Sequence, residues 1–111
     1  MIDPVQSAIH VALNGLADRR SAIDDNIANI QTPGYLAKTS NFEGSLQAAL
    51  RGESAANLAP RRGVSMAPTT TAGNNVNLDN ETVESISTGL RYQAMVEAMN
   101  VKFRTLRTSM G

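Results

Sequence analysis

The sequence predicts an all-α chain: two long terminal helices forming a coiled-coil hairpin, with an irregular, partly mobile middle segment. Three observations carry that reading. Apolar residues recur every three or four positions near both ends, the composition changes abruptly between them, and the apolar content is thin. The 111 residues hold 10 Lys+Arg against 10 Asp+Glu, one His, no Cys, no Trp, two Tyr and two Phe. Leu, Ile, Val and Phe make up roughly 22% of the residues, just above the level at which proteins fail to fold, so one domain with a small core is the most they can build.

The first unit spans residues 1–34. Asp3 is suited to cap a helix, Pro4 to the first helical position, and Gln6 completes a spacing like that of a capping box. Val5, Ile9, Leu13, Leu16, Ile23, Ile27 and Ile30 then fall in one stripe on a helical wheel. Arg20 interrupts that stripe, either with its stem packed and its head in water or as an ion-pair partner for a neighbouring subunit. Gly15 costs a helix interior about 1 kcal/mol relative to Ala and marks either a close-packing spot or a tolerated defect. The helix is expected to end at about Gln31, because Pro33 disfavours helical geometry at Thr32; Pro33-Gly34 then suits the centre of a type II turn.

The second unit, residues 35–78, reads as irregular. A short helix is expected over residues 43–51 through Leu46, Ala49 and Leu50. Beyond Gly52 the larger apolar residues are Leu58, Val64, Met66 and Val76, which predicts a loop with a short strand at Val64–Met66. Arg61-Arg62 reads as a solvated loop tip, with an acidic contact on a neighbour as the other reading.

The third unit, residues 79–111, is again helical. Asp79 is a candidate N-cap, and Leu78 is placed to staple onto Val83. Asp79, Glu81 and Glu84 crowd the start while Lys102, Arg104 and Arg107 crowd the end, complementing the helix dipole. Its wheel has two apolar stripes. One consists of Val83, Ile86, Leu90, Ala94 and Val101; the other, roughly opposite, of Tyr92, Met95, Val96, Met99, Phe103, Leu106 and Met110. The first helix can cover only one of them, and leaving the other in water exceeds what a monomer normally exposes. Assembly with other subunits follows, unless the middle segment folds back over the second stripe.

Chemistry is scarce. Zero net charge argues against a dedicated nucleic-acid or anionic-membrane binder. Without Cys there is no thiolate nucleophile or thiolate metal site. His10, beside the apolar stripe, reads as a partly exposed surface residue, and adjacent Asp24-Asp25 point about 100° apart on a helix and cannot share a proton or a metal. No phosphate loop or nucleophile elbow is present, so an enzyme is not expected. Met1-Ile2-Asp3-Pro4 carries an acid and no Lys or Arg, and the stretch after it is broken by polar residues; neither a signal peptide nor a membrane span is expected.

At the close of the first helix the sequence reads Asn26-Ile27-Ala28-Asn29-Ile30-Gln31-Thr32-Pro33-Gly34-Tyr35, followed by Phe42. This closely resembles the signature of the bacterial flagellar axial proteins, the rod and hook family, in which Asn-x-Ala-Asn, Thr-Pro-Gly-Tyr and a downstream Phe close the N-terminal helix. Val76-Asn77-Leu78-Asp79, Leu90-Arg91-Tyr92-Gln93-Ala94 and Asn100-Val101-Lys102-Phe103 look most like the proximal members of the basal-body rod proteins. The resemblance covers both ends and runs out in the middle.

The resemblance implies a structural subunit of the basal-body proximal rod, self-assembling with other rod proteins into the tubular drive shaft for motility. Its implied partners are other flagellar rod proteins, neighbouring copies of itself, basal-body base or adaptor proteins, and the flagellar type III export apparatus. Its implied place is the periplasm-spanning rod, reached without a cleaved signal peptide. No cofactor, metal, nucleic acid or small-molecule substrate is called for. The motif and turn residues are Asn26, Ala28, Asn29, Thr32, Pro33, Gly34, Tyr35 and Phe42. Candidates for intersubunit or coiled-coil packing are Ile9, Leu13, Leu16, Ile23 and Ile27 on the first helix and Leu90, Tyr92, Val96, Met99, Phe103 and Leu106 on the last. From the residues alone, Asn26 and Asn29 can hydrogen-bond across a helix end, and Tyr35 and Phe42 can anchor the next segment on the helices or on a neighbour. An ordinary helix stop with local packing stays open, as do another flagellar axial rod protein and a small helical-hairpin secretion substrate or adaptor.

Overall fold

The computed structural model describes residues 4–52 and 59–110, so the expected cap at Asp3 and the apolar Leu58 lie outside the described residues. Helix α1 runs Pro4–Ala28, strand β1 Lys38–Asn41, helix α2 Glu43–Leu50, strand β2 Arg61–Val64 and helix α3 Leu78–Met110. Long helices occupy both ends, as the periodicities predict, but the fold is not all-α. The middle holds a two-stranded antiparallel sheet in which Lys38 faces Val64 and Asn41 faces Arg61. The strand expected at Val64–Met66 lies instead at Arg61–Val64, and Arg62 is no loop tip. Pairing between segments this far apart in sequence leaves no local hairpin signal to read.

Helix α1 stops at Ala28, before the expected Gln31. The Asn29 N–H is shared between the carbonyls of Asp25 (3.1 Å) and Asn26 (3.2 Å), and the Ile30 N–H turns to Ile27 (3.3 Å), so the ladder tightens into a final turn. The Asn29 side chain also donates to the Asp25 carbonyl at 2.8 Å, the local competition that ends helices at Asn. The Tyr35 N–H then closes onto the Thr32 carbonyl (3.3 Å) with Gly34 at φ 74°, the type II turn that Pro33-Gly34 predicts.

Helix α2 matches its prediction to within a residue. The N-cap of α3 is Asn77 and not Asp79: the Asn77 side-chain oxygen accepts the Asn80 N–H at 3.1 Å, while Asp79 lies inside the first turn, where its charge suits the dipole. Leu78 and Val83 are 51% and 64% exposed, so the expected staple does not form.

Helices α1 and α3 lie side by side and antiparallel, with Asn26 meeting Glu81 near one end and Tyr92 and Met95 packed midway against the cluster of Ala12, Leu16 and Phe42. Along α3 the less exposed residues Glu81, Ser85, Thr88, Tyr92, Met95 and Met99 alternate steps of four and three. On α1 the covered positions face more than one way: Ala8, Val11, Ala12, Gly15 and Arg19 turn to α2, Phe42 and β1, while Asn26 reaches α3. The stripe read from large residues is only partly covered: Leu16 and Ile23 are buried, Ile9, Leu13 and Ile27 half-buried, and Val5 exposed. Helix α2 and Phe42 close the other flank of α1, where Ala49 packs with Ala8 and Val11, and Phe42 with Ala12 and Leu16. Gly15 is the close-packing spot: a methyl group there would overlap the Phe42 side chain.

Helix α3 has 33 residues against 25 in α1, so its last turns run past Pro4. The molecule measures 62 × 25 × 15 Å, and its radius of gyration is 17.0 Å, against about 13 Å for a compact protein of this length. Among the described residues no helix is long and apolar enough to cross a membrane.

Candidate functional site

Three polar ties hold the middle segment against the helices, and the first centres on Asn26, which is 1% exposed. Its amide donates to the Lys38 carbonyl (3.0 Å) and to Glu81 Oε1 (3.2 Å), and its oxygen accepts from the Lys38 N–H (2.7 Å) and the Tyr35 hydroxyl (3.2 Å). Both donors and both acceptor sites of one buried side chain are thus used, which is the condition for burying it without penalty. One residue joins α1, the exit of the turn, β1 and the start of α3. Burial pushes the Glu81 carboxyl above its ordinary value; the bond from Asn26 opposes the shift and the charge of Glu84 adds to it.

The second tie is Asn74-Asn75, both buried. The Asn74 amide donates to the carbonyls of Asn29 (2.9 Å), Ile30 (3.2 Å) and Thr32 (2.8 Å), capping the last turn of α1 from outside. The Asn75 amide donates to the carbonyls of Ser65 and Ala67, and its oxygen accepts the Ala37 N–H at 2.6 Å. The Gly34 N–H completes the tie by donating to the Ala72 carbonyl at 2.8 Å. The Thr-Pro-Gly-Tyr turn is therefore held by the segment that leads into α3.

The third tie lies midway along α1. Arg19 donates to the Ser40 carbonyl (3.0 Å) and to Glu43 Oε1 (2.8 Å), with its guanidinium 4.8 Å from the centre of the Phe42 ring. The bond from Arg19 is the main cause that holds the Glu43 carboxyl below its ordinary value, against the effect of burial. Asp18, on the same turn, accepts from the Ser40 hydroxyl (2.5 Å) and from the Arg62 guanidinium. Burial pushes the Asp18 carboxyl up, but the hydrogen bonds from Arg62 and Ser40 and the Arg62 charge outweigh it, and the group titrates below its ordinary value. Lys38 and Asp25 add an exposed pair at 3.1 Å.

The structure brings the signature residues together within one molecule. Asn26, Asn29, Thr32, Gly34 and Tyr35 are all hydrogen-bonded internally, Phe42 is buried, and Ala28 and Pro33 face solvent. The two stripes of α3 differ. Tyr92, Met95 and Met99 turn towards α1, whereas Val83, Ile86, Leu90 and Val101 stay 64, 61, 62 and 47% exposed. The second stripe is covered only along α1. Phe103, Leu106 and Met110 continue its line but stay 47, 37 and 86% exposed, and Val96 is 39% exposed at its edge.

Sequence reasoning singled out Arg20, which is exposed, and missed its neighbour Arg19. It also missed Asn74-Asn75, Asp18 and Ser40. An Asn-Asn pair after Gly73 and before a helix is a legible signal, since short amides bind nearby backbone. His10 and Asp24 are exposed. What the arrangement can do is set one fixed angle between helices and middle segment and present apolar helix faces outward.

No family model matches the sequence. It is 36% identical over 112 aligned residues, covering 87% of this protein and 85% of the relative, to the flagellar basal body rod protein FlgB of Bacillus subtilis. It is also 43% identical over 54 residues, 49% of this protein and 40% of the relative, to the protein of the same name from Borrelia hermsii.

Proposed function

The chain belongs to the family of flagellar basal body rod proteins named FlgB, and from that membership we propose that it is a structural, non-enzymatic subunit of the proximal rod, self-assembling with other rod proteins into the tubular shaft. The observation that carries the proposal is the outer stripe of α3. Val83, Ile86 and Leu90 are each more than half exposed in a protein whose apolar content is small, a patch that an isolated monomer has no reason to keep in water. The four-and-three spacing of the covered positions along α3 supports a coiled coil as its pairing with α1.

In this reading the inner line pairs the two helices of one subunit, while the outer stripe of α3, with the overhang of Phe103, Leu106 and Met110, packs on other copies and on other rod proteins. The signature residues set the internal angle, and their exposed members, Ala28 and Pro33, remain available to neighbours at the basal-body base. Export through the flagellar type III apparatus without a cleaved signal suits a fold held by a thin core and polar ties. The test is electron microscopy of basal bodies from a strain whose sole copy of this protein carries Leu90→Asp, beside deletion and wild-type strains. The proximal rod is expected to be missing in the variant and the deletion and present in the wild type. Normal rods in the Leu90→Asp strain would sink the proposal.

A further inference from the structure

Of the ten asparagines, Asn14 alone is followed by glycine. Asn14 is exposed near the middle of α1, and Gly15 is buried beneath the Phe42 side chain, in space that no Cβ can share. The packing therefore demands the glycine, and the glycine leaves an Asn-Gly step whose main chain lacks any side-chain hindrance to attack on the asparagine amide. We infer that Asn14-Gly15 is a self-modification site that is closed while α1 is helical and open whenever α1 is not.

The reaction needs no oxidant, reductant or co-reactant except water. The Gly15 nitrogen attacks Asn14 Cγ and forms a new C–N bond. The bond from Cγ to Nδ2 breaks, and the departing nitrogen leaves as ammonia, taking the proton lost from the Gly15 amide. Water then opens the resulting succinimide on either side, giving Asp or isoaspartate at position 14. In α1 the Gly15 N–H is engaged along the helix axis and helical backbone geometry holds its nitrogen away from Cγ, so the attack requires local opening.

The isoaspartate product acts against the fold. It adds a methylene to the main chain directly before the residue that seats Phe42, displacing the rest of α1 from its register on α3. Asp at 14 leaves the main chain intact and only places a like charge one turn from Asp18.

The experiment incubates the purified full-length protein in native buffer and in urea at the same pH and temperature, and follows the peptide containing residues 14 and 15 by mass spectrometry and isoaspartate detection. Conversion is expected in urea and at least about tenfold more slowly in native buffer, with Asn14→Gln staying intact in both. Equal rates in the two conditions would overturn the inference, as would conversion of the Asn14→Gln protein at the wild-type rate. After removal of urea, the aged wild type is expected to regain helix only in proportion to the fraction not converted to isoaspartate, while aged Asn14→Gln regains all of it. Full recovery by the isoaspartate-bearing protein would overturn the consequence drawn for the fold.

Discussion

Asn26 joins three segments because an amide offers two donors and two acceptors at one point, and all four are used within 3.2 Å. Removing it takes the side-chain partner from the Lys38 N–H and carbonyl, which are part-buried beneath it. Each buried group so orphaned costs about 1–3 kcal/mol, so Asn26→Ala is expected to lower unfolding stability by about 2–4 kcal/mol, read as a lower urea midpoint with an unchanged slope. Exposed Ala28, two positions along in the same signature, faces solvent instead. Membership of the motif and structural importance are therefore separate properties, and burial divides them.

At the scale of elements, a two-stranded sheet is marginal alone and stands here because α1 holds both strands through Asp18, which binds Ser40 of β1 and Arg62 of β2. The folded-state pKa of Asp18 is depressed, so the stability it adds is present above its unfolded pKa and is lost as pH falls through the folded one. Glu81 works the other way. Its folded pKa is raised, so its contribution is present below its unfolded pKa and lost as pH rises through the folded value. Asp18→Asn is expected to melt below the wild type at neutral pH, with the gap closing on acidification below the ordinary carboxylate range. Thermal melts over a pH series check this; a gap constant with pH would show that the Asp18 charge contributes nothing.

At the scale of the whole molecule, α3 outruns α1 and carries apolar residues on both faces, so a single copy leaves part of it uncovered. Met99 is 7% exposed on the inner line, whereas Leu90 is 62% exposed on the outer one. Met99→Asp places a charge against α1 and is expected to cost at least about 3 kcal/mol. Leu90→Asp is expected to leave the melt of the isolated protein within about 0.5 kcal/mol of the wild type. Paired circular-dichroism melts decide this, and a Leu90→Asp protein as unstable as Met99→Asp would mean that the outer stripe is part of the core. The comparison also separates folding from assembly, since only a variant that folds reports on the rod.

The sequence by itself determined both terminal helices, the Pro33-Gly34 turn, the short α2 and the two apolar stripes of α3, because proline geometry and helical periodicity act within a few residues. The family signature was legible for the same reason. It did not determine the β1–β2 pairing, the choice of Arg19 over Arg20, the Asn74-Asn75 cap on α1, or the seat of Phe42 over Gly15. Those depend on which distant segments meet, and only the tertiary structure decided them: a hydrogen bond between residues 29 and 74, or a ring seated over Gly15, leaves no periodic trace along the sequence.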